Sequence, residues 1–327
     1  MDNLTHSLVG LFLARAGLKN VTPRGTAILV LAANAPDFDA VSFFMGTPTY
    51  ILWHRNITHS FVGLPFMALL SIAIVRLLGR RAIRWWPAFL IAAVGVGSHL
   101  VLDLTNSYGV RLLLPFSPHW FHWDITPIFD IGLWAILLLG VIAPWFGRLV
   151  GSEIGEKKRG PGKGWAVAAL VLFAAWDYGR SLLHDRVVAT MGSYMYRSER
   201  PLRVAGLPGE NPLVWGGLAE LSDAYISTTV DLRGQFQPDQ VETFYKAPFS
   251  PAIAAAEKTL PFERFLSFVQ YPIWVTEPAP DLERATQVRL VDMRFGTPTQ
   301  PGFEAVATVS DRGQVVDSSF GMAPRVR

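Results

Sequence analysis

The sequence predicts an α-helical polytopic membrane domain followed by a small β-rich (α+β) soluble domain. Three observations predict it. Of 327 residues, 50% are hydrophobic and only 17% are charged, with 11 tryptophans, a profile unlike that of an ordinary soluble domain. Apolar runs approaching the roughly 20 residues of a bilayer crossing recur up to about residue 192 and then stop. Beyond Ser193, prolines and glycines become frequent and short stretches alternate in polarity, as strands do. The expected division is therefore a membrane domain over 1–192 and an extracytoplasmic β-rich domain over 193–327.

Taken in order, the run at 4–18 is short for a span and reads as a partly inserted helix. No basic region precedes it and no small-residue cleavage site follows, so it does not resemble a removable signal peptide. Candidate spans follow at 26–45, 60–78, 86–105, 128–150 and 164–183, the last interrupted by Asp177 and Arg180. Residues 155–164, GEKKRGPGKG, form a polar loop. In the second part, 224–232, 287–295 and 303–310 carry the alternation expected of strands. There is no internal repeat.

Charge gives an orientation. The net +3 is too small and dispersed to suit nucleic acid, and Lys and Arg sit in short loops beside the apolar runs. Arg15, Lys19 and Arg24 form one group, Arg76, Arg80, Arg81 and Arg84 a second, and Arg148, Lys157, Lys158, Arg159 and Lys163 a third. Those loops are expected to be cytoplasmic. The loops at 46–59 and 106–127 hold only Arg55 and Arg111, so they and the C-terminal domain are expected outside a cytoplasmic (inner) membrane. His6, His54, His59, His99, His119 and His122 then gather near the outer face with Asp37, Asp39, Asp103, Asp124 and Asp130. With no cysteine in the chain, metal chemistry must rest on imidazole and carboxylate.

His99 and Asp103, in GSHLVLDLT, lie four apart in a helical run and share a face, so both can reach one metal. The structural alternative is a histidine hydrogen-bonded to a carboxylate at a helix end. An ionisable pair in an apolar run is nevertheless a functional candidate by default. In NAPDFD, Pro36 turns Ala35 away from helix and makes a break that aims Asp37 and Asp39 at a common point, as in extended structure, the alternative being a turn with solvated Asp residues. In HRNITHS, His54 and His59 are not at helical spacing, so the expected arrangement is a loop in which one binds metal and the other approaches from elsewhere or acts on substrate. Arg55 beside them is a fixed fork suited to phosphate. Asn56 or Thr58 is positioned to cap the helix starting near Ser60. His6 sits in a second Thr-His-Ser triplet, which also opens an apolar run, suggesting a shared task. HWFHW at 119–123 reads as interfacial packing.

As an ordered series over residues 1–131, the early Thr-His-Ser with its following glycine, PDFD, HRNITHS, SHLVLDLTNSYGVRLLLPF, Trp123-Asp124 and Asp130 resemble the YdjM-like membrane-bound metal-dependent hydrolases of bacteria and archaea. The resemblance implies a helical membrane domain with a metal-dependent hydrolase site at His6, Asp37, Asp39, His54, His59, His99 and Asp103, with Asp124 and Asp130 a further pair. Departures fall at Asn56, commonly glycine in the family, and at Asn106-Ser107, commonly a Thr-Pro type turn. A more distant similarity to zinc-dependent phospholipase C enzymes, which also use a His-x-x-x-Asp helix, suggests phosphoesters.

The expected function is a membrane-bound hydrolase in which metal-activated water attacks an ester or phosphoester, such as a lipid-like substrate at the outer face. Metal ligands are expected among His6, Asp37, Asp39, His59, His99 and Asp103; Zn comes first, with Mn, Fe or Mg as alternatives. His54, Arg55 and Asp39 are the expected catalytic groups. The expected partners are the lipid bilayer and an amphiphilic or phosphoester substrate, with no nucleic acid. The rival reading is a membrane metal-binding or transport protein without hydrolase activity, although a transport path should carry ionisable residues through the full bilayer depth. A haem protein would need facing histidines without the surrounding carboxylates.

Overall fold

A computed structural model describes residues 1–46, 49–50, 53–79, 82–153, 162–280 and 282–321, apart from the side chains of 148–153. Of the charges used for orientation, Arg80, Arg81, Lys157, Lys158, Arg159 and the Arg148 side chain lie outside this set, as does most of the 155–164 loop. The chain forms two compact units. One comprises Met1–Asp39, Arg55–His184 and Pro208–Pro212, the other Ala40–His54, Asp185–Leu207 and Leu213–Arg327.

The first unit is helical: α1 (Asn3–Arg15), α2 (Gly25–Ala32), α3 (Gly63–Leu77), α4 (Trp85–Leu104), α5 (Ile131–Glu153) and α6, which begins there and runs Lys163–Ser193. Asp2 caps α1, its carboxylate accepting from Thr5 N at 3.0 Å and from the Thr5 hydroxyl at 2.6 Å. Among the described residues, α4 and α6 are long and apolar enough to cross a membrane, and the pair Gly25–Ala32 and Pro36–Met45 becomes a third crossing if its 48° bend is one broken span. The run expected at 26–45 is thus broken where Pro36 forecasts it. The run at 60–78 supplies only the 15 residues of α3, short of the roughly 20 of a full crossing. The outward faces remain apolar, with Leu69 and Leu77 on α3, Leu90 and Val101 on α4, Leu139 on α5 and Val171 on α6 all exposed. Helices that are hydrophobic on every side suit lipid rather than water.

Small residues bring three helices together. A Cβ at Gly10 of α1 would lie 2.9 Å from the Leu29 carbonyl oxygen, and one at Gly95 of α4 would lie 2.9 Å from the Ala32 Cβ. Backbones therefore meet closely, the packing that membrane helices favour. Ile28, Leu29, Ala32, Ala68, Ile72, Ala88, Ala92 and Val96 fill the core between α2, α3 and α4. Gly95 also decides the site, because one turn later the close approach carries His99 to the α2 terminus.

The second unit contains two four-stranded antiparallel sheets, each in sequential order. The first is β1 (Arg203–Pro208), β2 (Val214–Glu220), β3 (Ala224–Asp231) and β4 (Glu242–Tyr245); the second is β5 (Pro272–Pro278), β6 (Thr286–Asp292), β7 (Glu304–Val309) and β8 (Val315–Gly321). The stretches 224–232 and 303–310 hold β3 and β7, and 287–295 is strand as far as Asp292, after which Met293–Phe295 turns into a 3-10 helix; β7 buries every second residue. Short helices α7 (Pro251–Glu257) and α8 (Leu260–Leu266) pack on β6, β7 and β8, burying Ile253, Ala256, Phe262 and Phe265. Ser250 caps α7 ahead of Pro251, a start signal present in the sequence. An α+β domain therefore follows the helical one, as expected.

Candidate metal centre

Four elements of the first unit converge. His6 comes from α1, Asp37 and Asp39 from the 3-10 helix Pro36–Met45, His59 from the 3-10 helix Ile57–His59, and His99 and Asp103 from α4. One donor atom from each of Asp37, His59, His99 and Asp103 can be chosen so that all lie within 4.8 Å of one another. His6, His59, His99 and Asp103 are completely buried.

The hydrogen bonds decide which ring nitrogens face inward. His99 Nδ1 lies 2.7 Å from the Ala33 carbonyl oxygen, which only accepts, so Nδ1 carries a proton and Nε2 is the inward atom. His59 Nδ1 lies 3.2 Å from Asp39 Oδ2, which turns Nε2 inward as well. The two Nε2 atoms meet at 3.1 Å. Asp37 Oδ1 stands 3.4 Å from His59 Nε2 and 3.5 Å from His99 Nε2. Asp103 Oδ2 stands 3.4 Å from each, and is buried without a hydrogen-bond partner. Two imidazole nitrogens and two carboxylate oxygens thus point at one spot, which requires a positive charge there.

Burial alone would push the His59 imidazole down, but the Asp103, Asp37 and Asp39 carboxylates outweigh it and raise it to about 10. Without a metal, a proton on His59 supplies the missing charge. A metal must displace that proton, so its affinity should fall about tenfold for each unit by which pH drops below about 10. Dissociation constants for Zn²⁺ measured across pH 6–9, which spans about three such units, check this; a flat profile would contradict the assignment of His59.

The donor set fits a metal. Four ligands at about 2.0–2.1 Å around tetrahedral zinc stand about 3.3 Å apart, close to the spacings found here. Each histidine has an outer partner that fixes its tautomer, the arrangement usual around metal-bound imidazole. Asp39 is such a partner: its Oδ2 also accepts from the Thr58 hydroxyl at 2.6 Å and from Arg55 N at 3.0 Å. Replacing Asp39 by Asn should weaken metal binding about 10- to 100-fold while leaving some site. Competition with a chromophoric chelator would measure it, and an unchanged affinity would remove Asp39 from this role.

The sequence reading placed Asp37 and Asp39 at a common point in extended structure. An oxygen of each does lie within 4.8 Å of the other, and both carboxylates meet the His59 ring, on its opposite edges, but the backbone between them is 3-10 rather than extended. His6 stacks on His99 with ring centroids 3.8 Å apart, and His59 meets His99 edge-on at 5.0 Å, so both Thr-His-Ser triplets deliver their histidine to the same partner. His6 Nε2 lies 3.5 Å from Asp103 Oδ1, outside the four-atom donor group. Arg55 is buried rather than offered to a ligand: its guanidinium donates to Asp103 Oδ1 at 3.1 Å and to the Gly109 carbonyl at 3.1 Å. His54 falls in the second unit, stacked on Tyr50 at 4.6 Å. Thr58 holds Asp39 instead of capping a helix, and Ser60 Oγ takes the capping bond from Gly63 N at 3.0 Å. Asn3, which sequence reasoning passed over, donates to Asp37 Oδ2 at 3.0 Å. Asp124 pairs with His122 at 2.8 Å, and Asp130 with Arg180 at 3.5 Å.

The family model described as YdjM inner membrane protein matches residues 1–184, which carry this cluster. The chain belongs to the YdjM family. A second model, the YfhP C-terminal alpha/beta plait domain, matches residues 251–325, the region of α7, α8 and the β5–β8 sheet. Among YdjM-family relatives, the uncharacterized protein YfhP of Bacillus subtilis (strain 168) is 30% identical over 158 residues, 45% of this chain and 46% of the relative. The match spans about half of that relative's length. No solved structure matches the chain.

Proposed function

We propose that this YdjM-family protein is a membrane-bound metal-dependent hydrolase acting on an ester or phosphoester of a lipid-like substrate at the outer membrane face. The observation that carries the reading is the convergence of His59 Nε2, His99 Nε2, Asp37 Oδ1 and Asp103 Oδ2 on one buried point. These four would hold the metal, zinc by the donor set, with Mn, Fe and Mg as alternatives. When bound, such an ion lowers the pKa of water toward ~7 and polarises the scissile group.

The chain's own residues supply the rest. Asp39 and the Ala33 carbonyl fix the two rings, so the donor atoms need no reorganisation when the ion arrives. Asp37 is the least buried of the four, its side chain 12% exposed against 0% for the others, so water and substrate approach from its side. Its Oδ2 accepts one hydrogen bond, from Asn3 at 3.0 Å, and keeps a lone pair with which to take a proton from the attacking water. Asp39 is the weaker candidate for that base, since Thr58, Arg55 and His59 already occupy its Oδ2.

Lipid extracts and a panel of phosphoesters incubated with wild type and with His99→Ala protein, then separated chromatographically, test the proposal. A product made by wild type and absent with His99→Ala is the expected result. Identical profiles across the panel from protein that holds metal would favour metal binding or transport without hydrolysis.

A further inference from the structure

We infer that Arg55 is a positioning residue that braces the centre from both sides, acting through Asp103 and Asp39 rather than contacting substrate. The inference rests on the metal-site reading above. Arg55 does two separate things. Its side chain donates from Nη2 to Asp103 Oδ1 at 3.1 Å and, together with the Met1 ammonium that donates to the same oxygen, fixes the carboxylate so that the other oxygen, Oδ2, faces the two imidazoles. Its backbone N–H donates to Asp39 Oδ2 at 3.0 Å, the same oxygen that fixes His59. One residue therefore sets a ligand oxygen on α4 and the ring orientation of a second ligand from the 57–59 turn.

The backbone is held in an unusual state to do so. Arg55 has φ +57°, a left-handed conformation that is unfavourable for a non-glycine residue and persists where surroundings impose it. Those surroundings are specific. The guanidinium lies over the Tyr108 ring, 4.8 Å from its centroid, and Nη1 donates to the Gly109 carbonyl at 3.1 Å. Gly109 itself has φ +78°, and a Cβ there would lie 2.8 Å from the Phe121 carbonyl oxygen, so the loop presenting that acceptor is also fixed. At 5% exposure, with Nε buried as well, no face of the fork is open to a phosphate. Lysine cannot reproduce this: it has one point charge and no planar fork to span Asp103 and Gly109 while stacking on Tyr108.

Cobalt(II) is the probe, because its visible bands report coordination directly. Wild type, Arg55→Lys and Arg55→Gly are titrated with Co²⁺ in detergent, with thermal unfolding followed in parallel. Arg55→Lys is expected to bind Co²⁺ about 10- to 100-fold more weakly, with shifted visible bands. Arg55→Gly, which accepts the positive φ, is expected to recover part of the wild-type spectrum on adding methylguanidinium. If Arg55→Gly fails to fold, Arg55→Lys decides alone. Wild-type affinity and spectrum in Arg55→Lys would overturn the bracing role and leave the metal site standing. Wild type that binds no Co²⁺ and no Zn²⁺ would overturn the metal site, and this inference with it.

Discussion

Wild type is expected to retain a divalent metal through purification and His99→Ala and Asp103→Ala proteins to lose it, read as metal per chain by elemental analysis. Structural zinc sites with four ligands contribute about 10–16 kcal/mol at neutral pH, so one ligand accounts for roughly 3–4 kcal/mol, a factor of about 10²–10³ in affinity. The two variants should then diverge in stability. His99→Ala removes a ring that hydrogen-bonds the Ala33 carbonyl and stacks on His6. Asp103→Ala in addition strips Arg55 of its buried carboxylate partner, and leaving one member of such a pair alone costs about 3–5 kcal/mol. Asp103→Ala should therefore melt well below His99→Ala, and Asp103→Asn, which still accepts a hydrogen bond from Arg55, should fall between them. Stoichiometric metal in all three variants would rule out the cluster as the binding site. Metal absent from every sample including wild type, even after reconstitution, would end the hydrolase reading.

How far the sequence anticipated this centre depends on whether a residue's role is local. His99 and Asp103 were legible because both sit on one helix, where a separation of four fixes a shared face. The break at Pro36 was legible for a similar reason, since proline restricts the residue before it. The form of the broken segment was not. An extended stretch among apolar residues would leave backbone groups without partners, and the chain instead makes i→i+3 bonds such as Phe38 N to the Ala35 carbonyl at 3.1 Å. That choice sends Asp37 and Asp39 to different edges of His59. In HRNITHS the spacing left His54 and His59 equivalent, because a loop has no period. Tertiary contacts tell them apart: His59 meets His99 of α4, while His54 stacks on Tyr50. Arg55 was read by type, as an anion fork. Its actual partners, Asp103 and Gly109, lie 48 and 54 residues away in sequence, where no local pattern points.

Gly63→Ala should damage the centre without touching any ligand. A Cβ at Gly63, the first residue of α3, would stand 1.9 Å from the Ile57 carbonyl oxygen and 3.1 Å from Thr58 Cα. Both obstacles are backbone, so no side chain can rotate out of the way. The turn is also cross-tied, with the Ser60 hydroxyl donating to Ile57 O at 2.8 Å and accepting from Gly63 N at 3.0 Å. Relief must come from moving residues 57–59, which carry Thr58 and His59. Overpacking of this kind costs about 1–3 kcal/mol, and a catalytic group displaced by more than about 0.5 Å no longer meets its partners well. Metal affinity should drop at least about tenfold together with the melting temperature. Gly97→Ala is the matched control: it lies on α4 two residues before His99, and its Cβ would meet nothing within 4 Å. That variant should keep metal affinity unchanged and gain a little helix propensity. If Gly63→Ala binds and melts like Gly97→Ala, the 57–63 turn is not what holds His59 in place. If Gly63→Ala loses metal while a circular dichroism spectrum remains helical, the turn at the start of α3 is part of the metal centre in energetic terms as well as in sequence.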